Sequence, residues 1–176
     1  MKKISLLLFT SIIAFSCSNK PDFDRKGKET FKGLKDLSNL SLQMNSVTGE
    51  VWHKAIYDKK YALCKSTNFE DCYVSDFNYA LQRFNQEENV INLRKSISEI
   101  ENTISLNMDS LSNPSSKNKE VYENLIDLNK NVKELSSEAK NPTGSLTSFI
   151  DKSNKLSGEI NLLITEIETR KSDWKN

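Results

Sequence analysis

Three cysteines and a single histidine are the residues in this 176-residue chain with the most distinctive reactivity. Cys64 and Cys72 stand eight apart, with no Cys-x-x-Cys redox motif around either. Two thiols and one distant imidazole do not make a zinc site, which takes about four ligands. His53 follows Glu50 by three positions, so Glu-x-x-His occurs once, as Glu50-Val51-Trp52-His53. Helical di-metal sites need two such motifs and further inward carboxylates, and one histidine in the chain cannot supply them. General acid–base chemistry needs a carboxylate set apart by its surroundings. No spacing among the 24 acidic side chains singles out a pair. Gly144-Ser145 lacks the strand and the lysine spacing of a phosphate loop. The expectation is a non-enzymatic protein with no catalytic residue, no metal and no cofactor.

The third cysteine, Cys17, has a different setting. Lys2 and Lys3 precede an apolar run from Ile4 to Phe15, which ends at Ser16-Cys17. A run of this length is too short for a bilayer span, which needs about 20 residues, and has the proportions of a signal peptide. Ala14-Phe15-Ser16-Cys17 resembles the lipobox of bacterial lipoproteins. The resemblance covers residues 1–17 only and implies cleavage before Cys17, which then carries acyl chains. Two or more chains hold a protein to a membrane firmly where one does not. Residues 1–16 would be the signal peptide, 17–24 the acylated Cys and a polar tether, and 25–176 a single domain. The expected location is the cell membrane or outer membrane, lipid-anchored and facing the periplasm or the cell exterior. Export to an oxidising compartment would allow Cys64 and Cys72 to pair. A bridge of that span contributes about 2–3 kcal/mol by chain-entropy reasoning.

The cysteine pair lies inside the most unusual stretch of the chain. Between Trp52 and Phe84 stand eight of the fifteen aromatic residues, among them Tyr57, Tyr61, Phe69, Tyr73, Phe77 and Tyr79. Trp52, Phe77 and Phe84 suit a small core at the wide end of a bundle. Tyrosine and tryptophan are also common anchors of protein interfaces. Tyr61, Phe69 and Tyr73 are therefore the candidate partner-binding residues, with Tyr57 and Tyr79 beside them.

The elements that carry these residues read as helices. From about Arg25 to Tyr61 the residues Leu37, Leu40, Met44, Val47 and Val51 step 3-4-3-4, a coiled-coil-like seam. Gly49 is the expected bend. Residues 62–75 lose the period and read as a loop. A second helix begins with Ser75 or Asp76 as N-cap and runs to about Ser112. Its buried face is Phe77, Ala80, Phe84, Val90, Leu93, Ile97, Ile100, Ile104 and Leu111. Asn113-Pro114 and Asn141-Pro142 mark two further helix starts, since Asn caps and Pro fits the first turn. Val121, Leu125, Leu128, Val132, Leu135 and Ala139 form the third seam. Leu146, Phe149, Leu156, Ile160, Leu163 and Ile167 form the fourth, which ends near Lys171. The last two helices match in length and should pair as an antiparallel hairpin.

The fold class that follows is all-α, an up-down-up-down antiparallel bundle of about four long helices with coiled-coil-like seams. Five glycines and three prolines in 176 residues favour long helices over sheets. The mature chain would carry 23 basic and 24 acidic side chains (25 less Lys2 and Lys3, against 24). That balance argues against nucleic-acid binding, which calls for a basic patch. Trp174 is expected at the membrane-proximal end, where Trp favours the lipid interface. The first hairpin, from the tether up to the 62–75 loop and back, is longer than the second. Its aromatic end should project beyond the second by one to three turns. The function expected is that of a membrane-anchored module binding an envelope or extracellular protein through its 62–75 loop. A small-molecule sensor with a pocket near Trp52 and Phe84, and a structural spacer, are the alternatives.

Overall fold

The structure, a computed structural model, describes residues 23–170. The expected signal peptide, Cys17, most of the expected tether and Trp174 lie outside those residues. Among the described residues the chain is all-α, in the order α1 (Phe23–Tyr57), α2 (Phe69–Cys72), α3 (Phe77–Gln86), α4 (Glu88–Leu111), α5 (Lys119–Lys140) and α6 (Leu146–Thr169). A single 3-10 turn, Ser116–Asn118, leads into α5.

The 35-residue α1 is the axis of the bundle, about 52 Å long at 1.5 Å per residue. It packs against α3, α4, α5 and α6, whereas α4 and α5 touch each other only lightly. Early residues of α1 meet late residues of its neighbours. Lys26 donates to Asn107 of α4 at 2.9 Å and Lys35 to Glu168 of α6 at 2.7 Å. Both neighbours are therefore antiparallel to α1. The α5–α6 hairpin is likewise antiparallel, with Lys152 between Glu134 (3.1 Å) and Glu138 (2.8 Å) near one end and Arg170 on Glu120 at the other.

The central place of α1 changes which of its residues are buried. A seam runs Gly27, Thr30, Leu34, Leu37, Ser41, Met44, Thr48, Val51 and Ala55, all buried. It shares Leu37, Met44 and Val51 with the expected seam but replaces Leu40 and Val47, which are only partly buried. Apolar spacing picks out one stripe; a helix enclosed on three sides buries two. Small hydroxylated side chains fill the second stripe and let neighbouring backbones come near. Gly33 serves the same end, because a Cβ there would stand 3.1 Å from Ile104 Cγ1.

Several expected boundaries are corrected. Phe23 and Asp24, assigned to the tether, already belong to α1. Gly49 does not break it, and the helix runs through to Tyr57. A mid-helix glycine costs only about 1 kcal/mol, less than the packing on both sides of it. The expected second helix is instead two, broken at Glu87 (φ −66°, ψ 126°). The break resets the helical phase. Ile91, two turns on from Phe84 along one helical stripe, is 52% exposed, whereas Val90 is only 6%. The Asn-Pro pairs do not cap helices in the expected way. Asn141 ends α5, and Ser145 caps α6 through a reciprocal bond pair with Ser148. The third seam is buried throughout, and Asp76 caps α3 as expected, accepting from Tyr79 N at 3.0 Å.

Candidate functional site

Trp52 marks the level at which the second hairpin stops. Its ring lies flat on Phe77 (3.9 Å between centroids, 7° between planes) and leans on Phe149 of the first turn of α6 at 5.7 Å. Phe84 is fully buried. These rings fill the wide end of the bundle, as the sequence suggested for Trp52, Phe77 and Phe84. The last five residues of α1 run on past this level by about 7 Å. Beyond them lies the loop that carries the cysteines.

That loop is pinned at several points. Lys59 adopts a left-handed conformation (φ 50°) and turns the chain back, with Lys60 N donating to the Lys54 carbonyl at 3.2 Å. Two antiparallel strand-like links follow, Tyr61 N to the Cys72 carbonyl at 2.7 Å and Val74 N to the Lys59 carbonyl at 3.1 Å. Cys64 and Cys72 stand at disulfide-bonding distance, with Cα atoms 5.4 Å apart, and Cys72 is fully buried. The short α2 inside the closed loop is capped by Asn68 Oδ1, which accepts from Glu70 N at 3.2 Å. Ser66 Oγ donates to Asp71 Oδ2 at 2.7 Å.

Tyr61 is the centre of this arrangement and not part of its surface. The expectation that it contacts a partner is corrected: its side chain is 1% exposed. The left-handed turn at Lys59 turns the chain back, and Tyr61 joins the buried cluster that holds Ala80 and Phe84 of α3. Its hydroxyl donates to Glu87 Oε1 at 3.0 Å, and the Arg83 guanidinium lies over the ring at 4.5 Å. Burial, then the bond to Glu87, raises the Tyr61 phenol well above its ordinary value. Arg83 Nη1 also donates to the Asp71 carbonyl at 3.4 Å. One buried tyrosine thereby ties α1, the loop and the α3–α4 junction together.

The other two candidates are displayed. Phe69 is 54% exposed and Tyr73 50%, with ring centroids 6.1 Å apart. Tyr57 and Tyr79 are exposed at the same end of the molecule, and Ile56 partly so. The tip from Lys54 to Asp76 carries four basic side chains (Lys54, Lys59, Lys60, Lys65) and four acidic ones (Asp58, Glu70, Asp71, Asp76), so it has no net charge. Sequence reasoning missed Arg83 and Glu87, because a charged residue on a helix reads as a solvated face until a buried partner is known.

Glu50 and His53 are not brought together. Glu50 pairs with Lys54 at 2.9 Å, and the exposed His53 ring rests on Tyr57 at 4.7 Å. No group of three His, Cys, Asp or Glu side chains is placed to hold a metal ion among the described residues. No helix among them is long and apolar enough to cross a membrane.

Fold and site together define an all-α helical bundle with one cysteine-closed, aromatic end. No protein-family model, curated protein or solved structure gives a significant match to the chain.

Proposed function

We propose that this chain is a non-enzymatic, membrane-anchored envelope lipoprotein that binds a protein partner through its distal loop. The observation that carries the reading is the pair Phe69 and Tyr73, half-exposed on a backbone held at both ends of its loop. Exposed apolar rings cost free energy in water. Rings on an already ordered segment lose little further entropy when a partner covers them, which favours affinity. The charge balance of the tip points to an apolar and hydrogen-bonding contact, not to nucleic acid. The anchor rests on the Ser16-Cys17 pattern. Acyl chains on Cys17 would place the start of α1 at the membrane and the tip at the far end of α1, about 50 Å away.

The test is crosslinking in intact cells, comparing the natural chain with the double variant Phe69→Ala/Tyr73→Ala. The expected result is loss of a specific crosslinked partner from the variant, with the protein level unchanged. Equal capture of every partner by both forms refutes the tip as the contact surface. Cys17→Ser should release the chain from membranes; unchanged membrane association refutes the anchor.

A further inference from the structure

The end of the bundle where α1 starts is closed less fully than the end that Trp52 covers. Among the described residues a groove of about 280 Å³ stays open there, between the first residue of α1, the last turn of α4 and the segment that leads into α5. Phe23, Leu111 and Pro114 give it apolar walls, and Asn113, Ser115 and Asn118 a polar edge. A cavity of about 150 Å³ already holds a benzene ring, so this groove has room for a larger aromatic side chain. Asn118 stands at the N-cap position of α5, yet its side chain makes no capping bond. Its amide is therefore not committed to the helix start.

The chain carries a ring within reach of this groove. α6 finishes at the same end of the bundle, with Arg170 paired to Glu120 in the first turn of α5. Glu120 is two residues from Asn118 on the groove edge. The sequence continues from Arg170 as Lys171-Ser172-Asp173-Trp174-Lys175-Asn176, in which Trp174 is the one apolar side chain. Four residues of extended chain reach up to about 13 Å. A ring tethered at that range meets the groove at an effective concentration of about millimolar, which a free partner would have to exceed. The sequence period agrees. Ser153, Ile160 and Ile167 are buried on α6 at seven-residue intervals, and Trp174 is the next position in that series.

We propose that the groove at Phe23, Leu111 and Pro114 is the docking site for this chain's own segment 171–176, with the Trp174 indole as the group it takes. The ring lies against the apolar walls, and its N–H donates to the side-chain carbonyl of Asn118, since a buried indole N–H needs an acceptor. Lys171, Asp173 and Lys175 stay in water. The docked ring closes this end of the bundle with the chain's own residue, so Trp174 is withheld from a lipid surface. The inference stands independently of the distal loop and of acylation at Cys17.

The test follows the indole N–H signals of the two tryptophans in the isotope-labelled full chain by NMR in lipid-free solution, with Trp174→Phe identifying which signal is which. The Trp174 ring should show nuclear Overhauser contacts to the Leu111 methyls and to Pro114. Asn118→Ala should shift the Trp174 indole N–H and leave that of Trp52 unmoved. In the Trp52→Phe chain, Trp174 fluorescence should be protected from acrylamide relative to free tryptophan amide; should that chain not fold, the Overhauser contacts in the natural chain decide alone. Vesicles of phosphatidylcholine and phosphatidylglycerol should leave the contacts in place. The proposal is overturned by an absence of contacts between Trp174 and the groove, by contacts that give way to lipid contacts when vesicles are added, or by contacts that disappear on dilution, which mark a second copy as the occupant. Loss of the loop-bound partner in the Phe69/Tyr73 variant has no bearing on these outcomes.

Discussion

Replacing Tyr61 by alanine should damage the fold more than any other single truncation in the 62–75 region or its flanks. The ring is 1% exposed and belongs to the same buried cluster as Leu37, Val74, Ala80 and Phe84. Truncating a buried aromatic to alanine costs about 3–5 kcal/mol. Losing the hydrogen bond to Glu87 adds about 1 kcal/mol, a modest figure because Glu87 is only half-buried and regains water. Losing the Arg83 stack adds about 0.5–1 kcal/mol. These contributions overlap, so a total loss of at least about 3 kcal/mol is expected. Phe69→Ala and Tyr73→Ala remove rings that are half in water and should each cost no more than about 1 kcal/mol. Urea unfolding followed by circular dichroism at 222 nm reads the difference directly. With a slope of about 2 kcal/mol per molar urea, Tyr61→Ala should move the midpoint down by about 1.5 M. Tyr61→Phe should lie between, having lost only the hydroxyl. If Tyr61→Ala shifts the midpoint no further than Tyr73→Ala does, the placement of Tyr61 as the buried anchor of the loop is wrong.

Reducing the Cys64–Cys72 bridge, or replacing both by serine, should lower stability by about 2.5 kcal/mol, from the chain-entropy relation for a loop of this size. Thermal melts of oxidised and reduced chain check it, and coincident melts refute a bridge that stabilises the fold. In an alkaline absorbance titration at 295 nm, one tyrosine should ionise later than the rest, and the late step should vanish in Tyr61→Phe. Because the folded phenol is raised, its contribution to stability is complete below the ordinary phenol range and is lost as pH climbs through that range to the folded value. Asp76 works in the opposite sense. Its carboxyl is held below the ordinary value chiefly by the bond from Tyr79 N, so its contribution is present above the ordinary carboxylate range and is lost as pH falls through the folded value. Asp76→Asn should make the melting temperature less sensitive to acid than that of the natural chain, and parallel acid profiles refute the cap.

The helices were legible where apolar residues alone define a buried stripe. The third seam, Val121 to Ala139, is of that kind, since α5 presents a narrow apolar face to its partners. The first seam was half legible. Ser41 and Thr48 are buried as deeply as Leu37, yet a serine or threonine on a helix reads as solvent-facing until its helix is known to be the central one. The break at Glu87 was hidden for a related reason. Phe84 and Val90 both suit the buried face of one helix in the sequence, and only the extended backbone at Glu87 shows that two helices carry them. At the tip, spacing alone placed Cys64 and Cys72 together in a loop and marked its aromatics as a group. It could not sort them, because burial there depends on one left-handed residue, Lys59, that turns Tyr61 inward and leaves Phe69 and Tyr73 outside.

The sequence by itself determined that the chain is helical, roughly where its long helices lie apart from the break at Glu87 and the short α2, and that its rare residues gather between Trp52 and Phe84. Those properties follow from local periodicity and composition, which act along the chain. The tertiary structure alone decided that α1 is the axis, that Tyr61 is an anchor and Phe69 and Tyr73 a surface, and that Gly33 stands close against Ile104. Each of these depends on what stands opposite a residue across the bundle, and residues far apart in the chain meet there only after the helices have assembled.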